Sequence, residues 1–560
     1  MKSNLIIYLF ILVICSCAPK DSHDLIIRNG QLIDGSGEAS YIGDIAINGD
    51  TISAIGDLSK AKASREVDAT GLVVAPGFIN MLSWSTESLI VDGNSESDIR
   101  QGVTLEVMGE GWSMGPWNDE MKAEQLAFQK DVTYDIEWTT LGEYLSYLED
   151  RGISTNVASF VGATTLRIHE LKEEDRAPTL EELDRMKQLA RTAMEEGAMG
   201  IGSSLIYAPA FYAGTDELVE LCKVASEYGG MYISHMRSEG DNWLEAIDEL
   251  ITIASEANLP AEIYHLKAGG KHNWHKYEAA IQKIDSARAA GLEISTDMYN
   301  YTAGATGLDA SMPPWVQEGG YGAWAQRLQD PKIRARVAKE MKAVGDGWEN
   351  LYFAAGTPEN LILNGFRNDT LRYLTGKTLG EVARMRGTSP EITAMDLVVQ
   401  DSSRVGTVYF LMSEDIVKQQ IALPYMSFGS DAASMAPVEP FTNSNPHPRS
   451  YGNFARLLGK YVREEKIISL EEAVRKLTSL SASKLKVKKR GMLKVGNYAD
   501  VVIFDESKII DKATFEDPHQ FAEGMVHVFV NGSQVLQNGE HTNARPGRFV
   551  RGPGWTGHQK

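Results

Sequence analysis

Two histidines stand at equivalent places in this chain. Ile233-Ser234-His235 and Ile263-Tyr264-His265 each end a short apolar run with an imidazole, in a sequence that has only 11 histidines among 560 residues. On consecutive strands, such a pair points to zinc, for which neutral imidazole is a common ligand. A catalytic zinc needs a third protein ligand and keeps one position open. Val107-Met108-Gly109-Glu110-Gly111 offers a carboxylate at the end of another run, so Glu110 is the leading third ligand. Glu106, inside the run, is the lesser candidate. Ser427-Phe428-Gly429-Ser430-Asp431 delivers an aspartate in the same manner. A carboxylate beside zinc and water can take a proton from the water and pass it to a leaving nitrogen, the double role that amide hydrolysis requires. Asp431 is therefore the expected general base and acid.

These side chains need a frame that aims them at one point. Candidate strands end near Asn80, Gly109, Val161, Leu205, His235, Leu266, Asp297 and Gly429, eight in all, with amphipathic helices between several of them. Trp243, Leu244, Ile247, Leu250, Ile251 and Ala254 repeat at helical spacing, and the helix before Gly229-Gly230 stops at a glycine pair. Eight such units predict an α/β fold, a (β/α)8 TIM-like barrel over residues 74–485, with its active site at the C-terminal ends of the strands. Residues 302–404 exceed what a simple barrel needs and read as an insertion over the site, with 351–355 and 405–410 as candidate strands. Short β-rich runs at both ends, 24–73 and 486–545, predict one small β-sandwich domain formed by the two chain ends, with a hairpin signal at Asn531-Gly532.

At 43% hydrophobic and 23% charged residues the chain can bury a large core and is too long for one ordinary compact domain. A net charge of -21 argues against nucleic acid and anionic membrane surfaces as partners, since both need a basic face. Residues 1–17 read as a lipoprotein signal peptide: Lys2 is followed by an apolar run too short to span a bilayer, and Leu12-Val13-Ile14-Cys15-Ser16-Cys17 resembles a bacterial lipobox. Cys17 is the expected lipidated residue, which implies a cell-envelope protein attached to the membrane through its lipid anchor only. Once the leader is removed, Cys222 is the only other cysteine, expected in the core, and no intramolecular disulfide is expected.

Many short stretches in order identify a family. Residues 156–167 (NVASFVGATTLR), Leu205-Ile206-Tyr207-Ala208-Pro209, Ser234-His235-Met236-Arg237-Ser238-Glu239-Gly240, His265-Leu266-Lys267, Met312-Pro313-Pro314-Trp315, Gly429-Ser430-Asp431, 445–449 (NPHPR) and 544–548 (ARPGR) resemble the N-acyl-D-amino-acid deacylases, or D-aminoacylases, of the amidohydrolase superfamily. The resemblance covers residues 24–554. It implies a zinc hydrolase that releases a free amino acid from an N-acyl-D-amino acid or dipeptide-like analogue. His235 and His265 would be zinc ligands, Asp431 the proton shuttle, and Lys267, Arg449 and Tyr207 the holders of the substrate carboxylate. Arginine suits that task because its planar fork grips a carboxylate in two bonds. Two departures stand out. The family's His-x-His reads Leu82-Ser83-Trp84 here, and its Gly-Asn-Cys-Gly turn reads Gly109-Glu110-Gly111-Trp112, like a branch with a Gly-Glu-Gly turn. Without the paired histidines about one tightly bound zinc per chain is expected, held by Glu110, His235 and His265; Trp84 and Trp112 are candidates for the acyl pocket.

Two other readings fit the same scaffold. A cyclic-amide hydrolase commonly uses the His-x-His pair, which this chain lacks. A non-catalytic lipoprotein that binds anionic peptides or acylamino acids would have no need of a zinc pair together with a proton shuttle.

Overall fold

The computed structural model describes residues 22–557, so Cys17 and the leader lie outside the described residues. Among these, eight parallel strands form the barrel: Phe78–Asn80, Val103–Met108, Asn156–Ser159 continued by Val161–Gly162, Gly200–Ser204, Met231–His235, Ala261–Ile263, Ile294–Met298 and Met426–Phe428. The last strand returns to the first through the Met81 amide, which donates to the Phe428 carbonyl at 3.1 Å, and through a bridge between Ser83 and Ala432. The strands are buried along nearly their whole length because both faces of the sheet are covered, as parallel sheets require.

The helices are set by local signals. Thr140 and Thr179 each open a helix with a reciprocal capping box, to Glu143 and Glu182. Trp243–Ala257 buries Trp243, Ile247, Leu250 and Ala254 on one stripe. Cys222 lies fully buried in helix Thr215–Glu227, a core thiol as expected.

Both chain ends join in one nine-stranded mixed sheet whose hinge is the antiparallel pairing of Val73–Pro76 with Val501–Phe504. The sheet curls: the edge strand Thr51–Gly56 comes back to the other half, where the Ile52 amide donates to the Asn497 carbonyl at 2.9 Å. Leu25, Ile27, Ile45, Ile47, Val501, Ile503 and Phe529 fill the space so enclosed. That core is the reason the ends read as a sandwich.

The insertion has its own core, with Leu308, Trp324, Leu363, Leu397 and Tyr409 buried together. Its three antiparallel strands are Ala303–Gly307, Gly406–Phe410 and Leu361–Gly365. Here the sequence reading needs correction: residues 351–355 form a helix, Leu351–Ala355, and the third strand lies ten residues later. The β-prone run Leu351-Tyr352-Phe353 is overruled by Asn350, whose side chain accepts from the Phe353 amide at 3.1 Å and starts a helical turn. Among the described residues no helix is long and apolar enough to cross a membrane.

Candidate active site

Strand ends carry the side chains, and the backbone there is unusual. His265 and Asp431 have φ of 35° and 49°, the left-handed region that side chains other than glycine seldom enter. Such positions cost roughly 1–3 kcal/mol each and persist only where the surroundings hold them. The His265 amide donates to Asp297 Oδ1 and the Asp431 amide to the Leu82 carbonyl, each at 2.8 Å. Glu110 is aimed by its two glycines. Gly109 has φ 103° and a Cβ there would lie 2.3 Å from the Phe160 carbonyl oxygen; Gly111 has φ 73° and its Cβ would lie 2.7 Å from the Ser204 amide nitrogen. Only a glycine on each side lets the turn sit this deep against the neighbouring strands.

His235 Nδ1 and His265 Nε2 both meet Glu110 Oε1, at 3.0 and 2.9 Å. The three ligand atoms all lie within 4.8 Å of one another, and all three residues are buried. Two imidazoles and a carboxylate converging on one point match the three-protein-ligand pattern of a catalytic zinc, so the donor set fits that ion. Burial works against the charge of Glu110, but hydrogen bonds from His235 and His265 hold its carboxyl well below the usual range. Behind them Glu239 Oε1 lies 2.8 Å from His265 Nδ1 and 2.6 Å from Lys267 Nζ. A carboxylate on the far nitrogen of a ligand histidine fixes ring orientation and tautomer. Glu349 in turn accepts from the Ser238 hydroxyl and the Glu239 amide at 2.7 and 2.8 Å. Burial, with Glu239 nearby, pushes its carboxyl up to about 7.

Trp84 stands where the family has its second histidine. Its indole Nε1 donates to Glu110 Oε2 at 2.9 Å and to Asp431 Oδ1 at 3.1 Å. Ser83 donates instead to Glu106 Oε2 at 2.7 Å, and Ser95 and Thr155 donate to Glu106 Oε1 at 2.9 and 2.8 Å. Glu106 is fully buried among these hydroxyls. It stands apart from the ligand cluster, while Glu110 is in it.

The same cavity, of about 560 Å³, is lined by Glu110, His235, His265, Asp431, Lys267, Arg449 and Tyr207, so every site residue expected within the described chain meets there. That volume suits a small ligand. Arg449 opens helix Arg449–Arg456, lies over the Tyr299 ring at 4.3 Å, and has a buried Nε without a hydrogen-bond partner. Lys267 is already engaged by Glu239. The Tyr207 hydroxyl stays protonated, because burial pushes its pKa well up, and its ring meets His235 edge-on at 5.4 Å. Trp84 and Trp112 line the cavity as well.

Sequence reasoning missed four charged lining residues, Glu173, Glu239, Glu349 and Arg404. Glu239 and Glu349 support the ligands from behind; the first lies in a quoted motif, the second carries no local signal. Arg404 reaches in from the insertion, pairs with Asp309 at 2.8 Å and lies over Tyr207 at 5.0 Å. Glu173 belongs to the run Lys172-Glu173-Glu174-Asp175, which reads as a solvated turn.

Comparison with known proteins agrees with this geometry. The amidohydrolase family model matches residues 65–536. A D-aminoacylase of Alcaligenes xylosoxydans xylosoxydans is 34% identical over 529 residues, covering 94% of this chain and 97% of that one. The N-acyl-D-glutamate deacylase of Bordetella bronchiseptica, solved with zinc and a phosphonate mimic of the tetrahedral intermediate, superposes with TM-score 0.78 at 28% identity, covering 95% of this chain and all of that one. A D-aminoacylase with a binuclear metal centre, described as activated by one metal and attenuated by the second, gives TM-score 0.78 at 30% identity, covering 94% of this chain and all of that one.

Proposed function

The chain belongs to the amidohydrolase family, within its D-aminoacylase branch, and on that premise we propose that it hydrolyses the amide bond of N-acyl-D-amino acids or dipeptide-like analogues, releasing a free amino acid. One observation carries the reading: Glu110, His235 and His265 converge beside Asp431, and a buried arginine stands next to it. Zinc held by Glu110, His235 and His265 would polarise the scissile carbonyl and acidify water.

The protein's own groups do the rest. Asp431 takes the proton of the attacking water on a carboxylate oxygen and returns it to the leaving nitrogen. The Trp84 N–H keeps that carboxylate turned toward Glu110. Arg449, which lies 2.8 Å from Asp431 Oδ2, is the grip for the substrate carboxylate; an incoming anion competes for the guanidinium and loosens its hold on the base. Tyr207 adds a neutral donor.

One zinc ion per chain is the reading that Trp84 supports. An indole N–H directed at Glu110 and Asp431 is a donor, not a ligand, and it occupies both carboxylates at the place where paired histidines would otherwise serve a second ion. Attachment of the mature protein to the bacterial envelope through a lipid on Cys17 rests on the leader sequence alone.

The deciding experiment is zinc analysis of the purified protein followed by turnover of matched N-acyl-D- and N-acyl-L-amino acids. Zinc-dependent release of the D-amino acid is expected. A protein that binds these compounds without turning them over would be a binding lipoprotein.

A further inference from the structure

The stretch 473–499 carries eight lysines and arginines and no aspartate or glutamate, in a chain whose acids outnumber its bases 76 to 55. It crosses the foot of the barrel, the end opposite the site. Lys486 Nζ donates to the Gly229 carbonyl at 2.8 Å, two residues before the strand Met231–His235. Gly229 and the ligand His235 thus lie at opposite ends of that strand, about 20 Å apart by strand rise. Arg490 donates to Asn531 Oδ1 at 2.9 Å, and Asn531 donates to Asn156 Oδ1 at 2.8 Å, where the third barrel strand begins. Lys488, Lys489 and Lys494 are exposed, and their ammonium groups make no hydrogen bond or ion pair with any described residue. Nearby acids are already engaged: Asp500 by Arg490, and Asp50 by Arg548 at 2.7 Å. The stretch therefore presents unbalanced positive charge.

The chain enters beside this stretch. Asp24 Oδ2 accepts from the Gly49 amide at 2.7 Å, while the Ala499 amide donates to the Asp50 carbonyl at 2.8 Å and the Gly496 amide to the Ile52 carbonyl at 2.9 Å. Cys17, the expected point of lipid attachment, precedes Ser22 by five residues, which span at most about 18 Å of extended chain. A lipid on so short a tether brings this corner to the bilayer. The net charge of -21 does not prevent the approach, because at physiological salt charges more than about 8 Å away are largely screened. A headgroup meets the local charge, and here that charge is basic.

We propose that the foot of the barrel docks on anionic phospholipid headgroups through Lys488, Lys489 and Lys494, so that the mouth of the site faces away from the bilayer. This goes beyond the deacylase reading and does not depend on it. Lysine suits a headgroup phosphate as a point charge that needs no fixed geometry. Each lysine close to an anionic bilayer adds about fivefold to affinity. A lipid tether alone leaves the body free to tilt, and a basic foot removes that freedom. Substrate then enters from the aqueous side.

The mature chain carrying Cys17→Ser, and so no lipid, isolates the surface. It should bind vesicles of phosphatidylglycerol and phosphatidylcholine in equal parts roughly a hundredfold more tightly than vesicles of phosphatidylcholine alone, and added salt should weaken the binding. Lys488→Gln, Lys489→Gln and Lys494→Gln together should remove that preference, about fivefold for each lysine, with turnover in solution unchanged. The same charge change at Lys332, Lys339 and Lys342, which are exposed on the insertion, should leave binding as it was. Since Cys222 is buried, an environment-sensitive dye can be placed on Val495→Cys at the foot or on Tyr373→Cys on the insertion, at sites 56% and 64% exposed. On the anionic vesicles the first should shift to the blue and the second should not. No preference for anionic vesicles, or equal losses from the two sets of lysines, overturns the proposal while the lipid anchor and the deacylase reading stand. A dye response at 373 without one at 495 overturns it too. Tighter binding to double-stranded DNA than to the vesicles would assign the face to nucleic acid and likewise overturn it.

Discussion

Arg449 and Asp431 form an ion pair at 2.8 Å with side-chain exposures of only 4% and 12%. Grip and base are thus each other's counter-ion, and burial, the largest influence on Asp431, raises its pKa while Arg449 opposes the rise. Arg449→Lys should lower kcat/KM for anionic substrates by roughly ten- to a hundredfold, as for a lost hydrogen bond between charged groups. Matched C-terminal amides should lose far less, because a lysine cannot reproduce the planar fork. Steady-state kinetics on paired acids and amides decides it; equal losses would show that Arg449 does not hold the carboxylate.

Asp431→Asn should keep the fold and the zinc, since Asp431 is not among the converging ligand atoms. Activity should drop roughly a hundred- to ten-thousandfold, the usual contribution of general acid–base catalysis. Turnover close to wild type would remove Asp431 from the proton path.

The two glutamates of the second strand should separate cleanly. Elemental analysis after mild chelation should find about one zinc per chain, and Glu110→Ala should release it. Glu106→Ala should retain the zinc yet lower Tm, with roughly 1–3 kcal/mol lost as the hydroxyls of Ser83, Ser95 and Thr155 lose their shared charged acceptor and keep only Ser85 and each other. Two zinc ions retained in the wild type, or a zinc that outlasts Glu110→Ala, would contradict the assignment.

Trp84→Phe removes a single N–H from between Glu110 and Asp431. The zinc count should stay the same and kcat should fall about tenfold, the loss of one modest hydrogen bond to charged groups. An unchanged kcat would mean that Glu110 and Asp431 keep their places without it.

Cys17→Ser should move the protein out of the detergent phase, because the thiol is the expected point of lipid attachment. Partitioning identical to wild type would leave the leader as an ordinary signal peptide.

Much of this site is legible in the sequence for a simple reason: in a parallel barrel the end of each strand is the site. An apolar run that closes on His235, His265 or Asp431 gives position and chemistry together. The Gly109-Glu110-Gly111 turn is readable in the same way, since its glycines announce a close approach. What cannot be read depends on long-range packing. Glu349 and Arg404 come from the insertion, whose register over the barrel is set by its own core. Glu173 looks like one charge in a surface run until helix Ala163–Leu171 turns it inward. Leu351–Ala355 shows the converse, strand-prone residues drawn into a helix by an asparagine cap.

The curled sheet ties the two ends of the chain to each other and to the barrel: Val501–Phe504 pairs with Val73–Pro76, Arg548 meets Asp50 at 2.7 Å, and the Val550 amide donates to the Val157 carbonyl at 2.8 Å. The N-terminal strands can pair among themselves early, Ser22–Leu32 with Tyr41–Asn48 and with Lys62–Asp68, but closing the sheet waits for the last sixty residues. Pairings of such large sequence separation form slowly. Joining Val73–Pro76 to Val501–Phe504 is thus the last step open to a chain made from its N-terminus.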